Sequence, residues 1–154
     1  MVKLLYMNKT ITILITIFFT FSVLQCSHRE KKINSYIGIF EIPAKNINKA
    51  IDFYESILDI KIEKMEVQNR KMGILPYEGQ QVAGVIIEAE EYEPSSNGIT
   101  IYLNAGENLQ SILDKITPNG GKILVPKTPH ADQNGFFAIF IDCEGNKLGL
   151  TSPK

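Results

Sequence analysis

Few side chains in this sequence are equipped for chemistry, and their settings narrow what each can do. Glu41 is an acid in the apolar stretch "YIGIFEIP" (36–43). There it can meet a cationic or hydroxylated ligand or act as a base; the plainer alternative is a strand-end carboxylate in solvent or paired with a lysine. His130 lies in the polar stretch "KTPHADQNG", with Asp132 two residues on. It is either a general acid–base or contact residue that Asp132 orients, or an exposed loop histidine. Tyr102 and Phe137 (or Phe136) occupy alternating apolar stretches and serve either as core or as a wall on which a ligand stacks. Glu88, Glu90, Glu91 and Glu93 put four acids into six positions. Their spacing lacks the turn glycine of a calcium loop, so they read as a solvated linker face. Cys143, in "DCEGN", has no histidine motif beside it, which argues against a nucleophile.

The 154 residues suit one domain plus an extension, and the net charge of -1 with a pI near 6.1 offers no footprint for nucleic acid. Two cysteines, Cys26 and Cys143, are too few for a disulfide framework or a four-cysteine zinc site; counting alone allows one bridge between them.

The segment "ITILITIFFTFSVLQCSHREKK" (11–32) decides how Cys26 is read. Lys3 and Lys9 precede an apolar run from Ile11 to Leu24. That run is shorter than the roughly 20 residues a membrane-spanning helix needs, and it suits a signal-peptide core. Thr12, Thr16 and Thr20 weaken it further as a permanent span. "VLQC" resembles a bacterial lipoprotein box, in which cleavage precedes a cysteine that carries lipid. Gln25 and Leu24 are bulkier than the usual residues there, and a plain signal anchor is the competing reading. Either Met1 or Met7 starts a complete leader. The expected organisation is a leader at 1–25, a lipid-bearing tether at 26–35 with Cys26 as attachment site, and a folded domain at 36–152. Acylation of Cys26 would also remove the one disulfide partner of Cys143.

The folded part reads as a repeat. A strand at 36–43 is followed by a helix in "KNINKAIDFYESILDI", whose Ile47, Ala50, Ile51, Tyr54 and Leu58 make one apolar stripe. Asn46 or Asn48 can cap it. Strands follow in "IKIEKMEV", "RKMGILP" and "QVAGVIIEA". After the turn-rich "EEYEPSSNG", the order restarts with a strand in "ITIYLNA" and a helix striped by Leu109, Ile112, Leu113 and Ile116, which Pro118 and Gly120–Gly121 stop. Strands in "KILVPKT", "FFAIFID" and "NKLGLTS" complete it. The spacing therefore predicts an α+β fold: two βαβββ modules, 36–89 and 98–152, forming a curved, mostly antiparallel sheet trough with helices outside. Alternate strand residues would line the trough as a ligand pocket.

Three separated segments, "FEIPAKNINKAIDFYESIL", "NLQSILDKITPNGGKILVPKT" and "GFFAIFIDCEGNKLGL", resemble the glyoxalase/bleomycin-resistance/extradiol-dioxygenase (vicinal oxygen chelate) superfamily. The resemblance spans Tyr36 to about Ser152 and implies the same paired modules. It also implies a divalent metal held by a His or Glu on the first strand of each module and a Glu on the last strand of the second, acting as a Lewis acid. Here those positions fall on Ile39, on Thr100 or Ile101, and on Gly149, which supply no strong ligand. No metal or other cofactor is therefore expected, with a divalent metal on unconventional ligands as the alternative.

Three activities fit. The first is a lipid-anchored small-molecule-binding domain, like the antibiotic-sequestering members, with Glu41, Tyr102, Phe137 and His130 as pocket residues. The second is a lyase- or dioxygenase-like enzyme using Glu41 and His130. The third is a non-catalytic interaction module at a membrane surface. The expected partners are a small molecule and a membrane reached through lipid, and the modules pair either within one chain or across a homodimer. The expected location is the bacterial cell envelope, outside the cytoplasm.

Overall fold

In the computed structural model, residues 35–154 are described. The expected leader, Cys26 and its lipid, and the tether up to residue 34 lie outside the described residues.

The chain runs β1 (Ile39–Pro43), α1 (Ile47–Leu58), β2 (Glu63–Val67), β3 (Arg70–Ile74), β4 (Ala83–Glu88). It then repeats as β5 (Tyr102–Asn104), α2 (Gln110–Ile116), β6 (Lys122–Pro129), β7 (Phe136–Ile141), β8 (Lys147–Ser152). The duplicated βαβββ order is the one the hydrophobic periodicity predicts. The strands form two four-stranded sheets, β1-β4-β3-β2 and β5-β8-β7-β6. In each, the first strand pairs in parallel with the last and the other neighbours are antiparallel. Strands β1 and β5 are both edges, and no ladder joins the two sheets.

Helix α1 starts where backbone donors find acceptors. Its first amides have no partner within the helix and must be satisfied from outside. The Asn46 side chain accepts from Lys49 N–H at 3.1 Å, which settles the choice between Asn46 and Asn48. Glu88 accepts from Ile47 N–H at 2.8 Å. Glu144, from the second module, accepts from Lys45 and Asn46 N–H at 2.7 and 2.9 Å. Asp59, in the left-handed conformation, ends the helix.

The two helices share one core with the helix-side faces of both sheets. Ile47, Ala50, Ile51 and Tyr54 are buried as the stripe predicts, while Leu58 is half-buried. Phe53 and Ile57 are also buried, because α1 packs on the second module as well as on its own sheet. The Phe53 ring lies 6.5 Å from that of Phe140. On the helix side the sheets present Ile42, Leu75, Ile86, Phe140 and Leu150, all buried. The opposite faces stay open: Ile39 is 63% and Tyr102 45% exposed.

Candidate functional site

The open face of the second sheet carries the densest set of candidate residues. Tyr102 and Gly149 are register partners on β5 and β8. The Tyr102 ring lies over Gly149, and a methyl built on Gly149 would overlap the ring carbons. A glycine inside a strand marks such a close approach. Gly149 pairs onward with Ile139, and Thr151 with Phe137 and Asn104. His130 completes this face: its ring lies 5.2 Å from that of Phe137, and its Nε2 is 3.4 Å from the Thr151 hydroxyl. Tyr102 and Phe137 thus share one sheet face, separated by Gly149 and Thr151 of β8, and His130 rests on Phe137. Exposed rings on such a face can hold a flat partner offset-stacked or edge-on, as the ring quadrupoles dictate.

Asp132 does not orient His130. Its carboxylate accepts from the Asn134 backbone at 3.0 Å and side chain at 3.3 Å. Those bonds hold its pKa below the usual carboxylate value.

Glu41 stands on the other sheet. It is exposed and accepts from the Tyr92 hydroxyl at 2.6 Å. That bond, to a carboxylate, raises the Tyr92 pKa. Glu41 borders a small cleft with Glu93, Asn97 and Asn146, whereas His130 borders neither this cleft nor the larger one between the modules. Glu41 and His130, paired in the enzymatic reading, therefore have separate surroundings within one chain.

The metal positions implied by the resemblance can be placed by register. Ala44 and Ala105 each donate to the last strand of their module, at Ile87 and Thr151. This equivalence makes Thr100, rather than Ile101, the counterpart of Ile39. Ile101 packs against the core. Among the described residues, no three His, Cys, Asp or Glu side chains converge on one point.

The acidic stretch divides. Glu88 belongs to β4 and is half-buried, held below its ordinary pKa by the Lys71 ammonium and the Ile47 N–H. Of the remainder, Glu91 pairs with Arg70 and Glu93 with Lys45 on the surface. The linker reading holds for those and fails for Glu88.

Sequence reasoning missed a buried polar knot. Asp142, 3% exposed, accepts from the backbone of Glu144, Gly145 and Asn146, from the Asn146 side chain, and from the Tyr54 hydroxyl at 2.7 Å. Burial, followed by the Asp142 charge, raises the Tyr54 pKa far above its ordinary value. Beside it, burial pushes the half-buried Cys143 thiol up to about 12, so it is not a thiolate near neutrality. The knot joins helix α1 to the β7–β8 turn. Its signal was the dense run of turn formers in "DCEGN".

Between the modules lies a cleft of about 760 Å³ that also reaches Tyr102 and Asn104 on β5. Its walls include Phe40, Ile57, Leu75, Leu103 and Ile112, with Lys115 and Asp59 paired at the edge.

Comparison with known proteins locates the chain. The sequence pattern of the Glyoxalase/Bleomycin resistance protein/Dioxygenase superfamily matches residues 36–150. A glyoxylase-like domain-containing protein from Didymella fabae is 29% identical over 127 residues, covering 74% of this chain and 91% of its own. A glyoxalase/bleomycin resistance protein from Albidiferax ferrireducens superimposes with a TM-score of 0.60 at 17% identity, over 77% of this chain and 98% of its own. A fosfomycin resistance protein from Listeria monocytogenes does so with a TM-score of 0.57 at 17% identity, over 78% and 94%. A variant of glyoxalase I from Zea mays gives a TM-score of 0.60 at 21% identity over 75% of this chain; the chain spans 46% of that larger protein. At these identities the structural matches establish the fold.

Proposed function

Because the chain belongs to the Glyoxalase/Bleomycin resistance protein/Dioxygenase superfamily, we propose that it is a small-molecule-binding domain, lipid-anchored through Cys26, that works without the metal centre the resemblance implies. The observation that carries this reading is the Tyr102 ring over Gly149. A metal-holding carboxylate at position 149 would need the space the ring occupies. The same ring, on the sheet face that also carries Phe137 with His130 against it, is instead a stacking surface. Ile39 and Thr100 at the first-strand positions add no strong ligand.

Superfamily members bind small molecules and are often dimers. Here the ligand would lie on the open sheet face, and a second copy would cover it. Exposed Ile39 and Tyr102 on the uncovered faces support that pairing. The enzymatic reading, through Glu41 and His130, finds those residues in separate surroundings and has less to support it.

The test is metal analysis of the purified protein beside a thermal-shift screen of aromatic small molecules. We expect no stoichiometric divalent metal and at least one ligand that raises the melting temperature of the wild type but not of Tyr102→Ala. A stoichiometric metal whose removal abolishes ligand binding would overturn the reading.

A further inference from the structure

The two modules match element for element, yet they fill their shared interface unequally. Gly73 faces Ile86 as Ala138 faces Leu150. The buried helix positions repeat with one spacing, Ile47, Ala50, Ile51, Tyr54 against Leu109, Ile112, Leu113, Ile116. These registers make Lys115 the counterpart of Phe53, and Leu75 that of Phe140. The turns correspond too: Glu78–Gly79 and Glu144–Gly145 both place glycine at positive φ, 74° and 105°.

One half is closed. Phe53 packs on Phe140 and meets Tyr54 edge-on at 5.1 Å, and Glu144 fastens its turn to the backbone of Lys45 and Asn46. The other half is open. Lys115 and Leu75 stand in the walls of the 760 Å³ cleft. Gly106, the counterpart of Lys45, donates to Asn104 instead of to the opposing turn. Two rings fill the interface on one side; on the other, Lys115 and Leu75 stand at the corresponding positions and the space stays open, with the Phe40 ring in its wall over Gly84.

We propose that this cleft is a binding site for a neutral aromatic molecule of one or two rings. Such a molecule would take the place that Phe53 and Phe140 fill in the closed half. The walls are mainly apolar, and the volume falls within the roughly 300–1,000 Å³ of small-molecule sites. The two charges in the lining, Asp59 and Lys115, are paired with each other. A charged ligand would have to break that pair or be desolvated without a partner, which selects a neutral one. Tyr102 stands in the wall of this cleft as well as over Gly149, so variants of Leu75 and Lys115, rather than of Tyr102, separate this site from the one in the proposed function.

The probe is 2-naphthol, with naphthalene-2-sulfonate as a charged control of the same ring size, titrated against residues 34–154. These residues form a compact unit with its own core, and the Albidiferax ferrireducens protein, 98% covered, consists of this fold alone. Saturable 1:1 binding of 2-naphthol is expected, with the sulfonate at least tenfold weaker. Leu75→Phe, which restores the counterpart of Phe140, should weaken 2-naphthol at least tenfold without lowering the melting temperature. Lys115→Phe, at a half-exposed position, should do the same and decides the matter should Leu75→Phe unfold. The proposal fails on any of three results: no saturable binding, equal affinity for the sulfonate, or undiminished binding in the folded variants.

Discussion

At the residue scale, two close approaches carry the strongest consequences. Gly149 is glycine because the Tyr102 ring covers it. Gly149→Ala should cost about 1–3 kcal/mol through overpacking. Adding Tyr102→Ala should recover part of that loss, since contacting residues couple by about 0.5–3 kcal/mol. Urea denaturation of the two single variants and the double variant measures the coupling; strict additivity would show that the ring does not restrict position 149. The Asp142 knot makes a second prediction. Tyr54→Phe removes one donor from a buried carboxylate and should cost about 1–3 kcal/mol. Asp142→Ala removes the side-chain acceptor of five hydrogen bonds at once and should cost more, the order being read from the same denaturation curves.

At the element scale, α1 is capped by a residue nearly a hundred positions away. Burial alone would raise the Glu144 pKa, but the Lys49 ammonium and the Asn46 and Lys45 N–H groups outweigh it and leave the value lowered. A carboxylate lowered on folding stabilises above its unfolded pKa, and that contribution disappears as the pH falls through its folded pKa. The window therefore opens near the ordinary glutamate value of about 4.3 and extends below it. Glu144→Gln should melt lower than wild type at pH 7, and the two melting temperatures should converge in acid. A gap that persists at pH 2 would show that the cap acts without its charge. At the start of the short helix α2, Gln110–Ile116, neutral acceptors serve instead: the Asn108 side chain accepts from Gln110 N–H at 3.1 Å and the Ser152 hydroxyl from Leu109 N–H at 3.0 Å.

At the scale of the whole molecule, the uncovered sheet faces call for a partner. The proposed dimer should show in sedimentation as a mass twice that of the chain. A charge placed on that face, Ile39→Lys, should shift it to monomer while leaving the melting temperature within a few degrees. Mass spectrometry of the protein from its native membrane should find an acylated N-terminus at Cys26; an unlipidated start elsewhere would refute the anchor and leave the domain intact.

Most of the fold was legible along the chain. Period-3.6 and period-2 patterns name the ten elements in order, and the repeat names the fold, because such patterns depend only on near neighbours. Gly120 at the end of α2 and Gly145 in the β7–β8 turn follow from local backbone needs in the same way. The sites were legible only as residue types. Glu41 and His130 look alike as lone polar groups in sequence, yet one bonds Tyr92 and the other rests on Phe137. Glu88 reads as linker until Ile47 and Lys71 converge on it. The ring over Gly149, the Asp142 knot and the cleft opposite Leu75 join residues distant along the chain. Sequence alone shows which elements form and which residues, Ile39, Thr100 or Ile101, and Gly149, stand where the resemblance implies metal ligands. What covers Gly149 follows from the β5–β8 pairing, and where space remains from the packing of one module against the other; both join residues distant along the chain, so neither shows before folding.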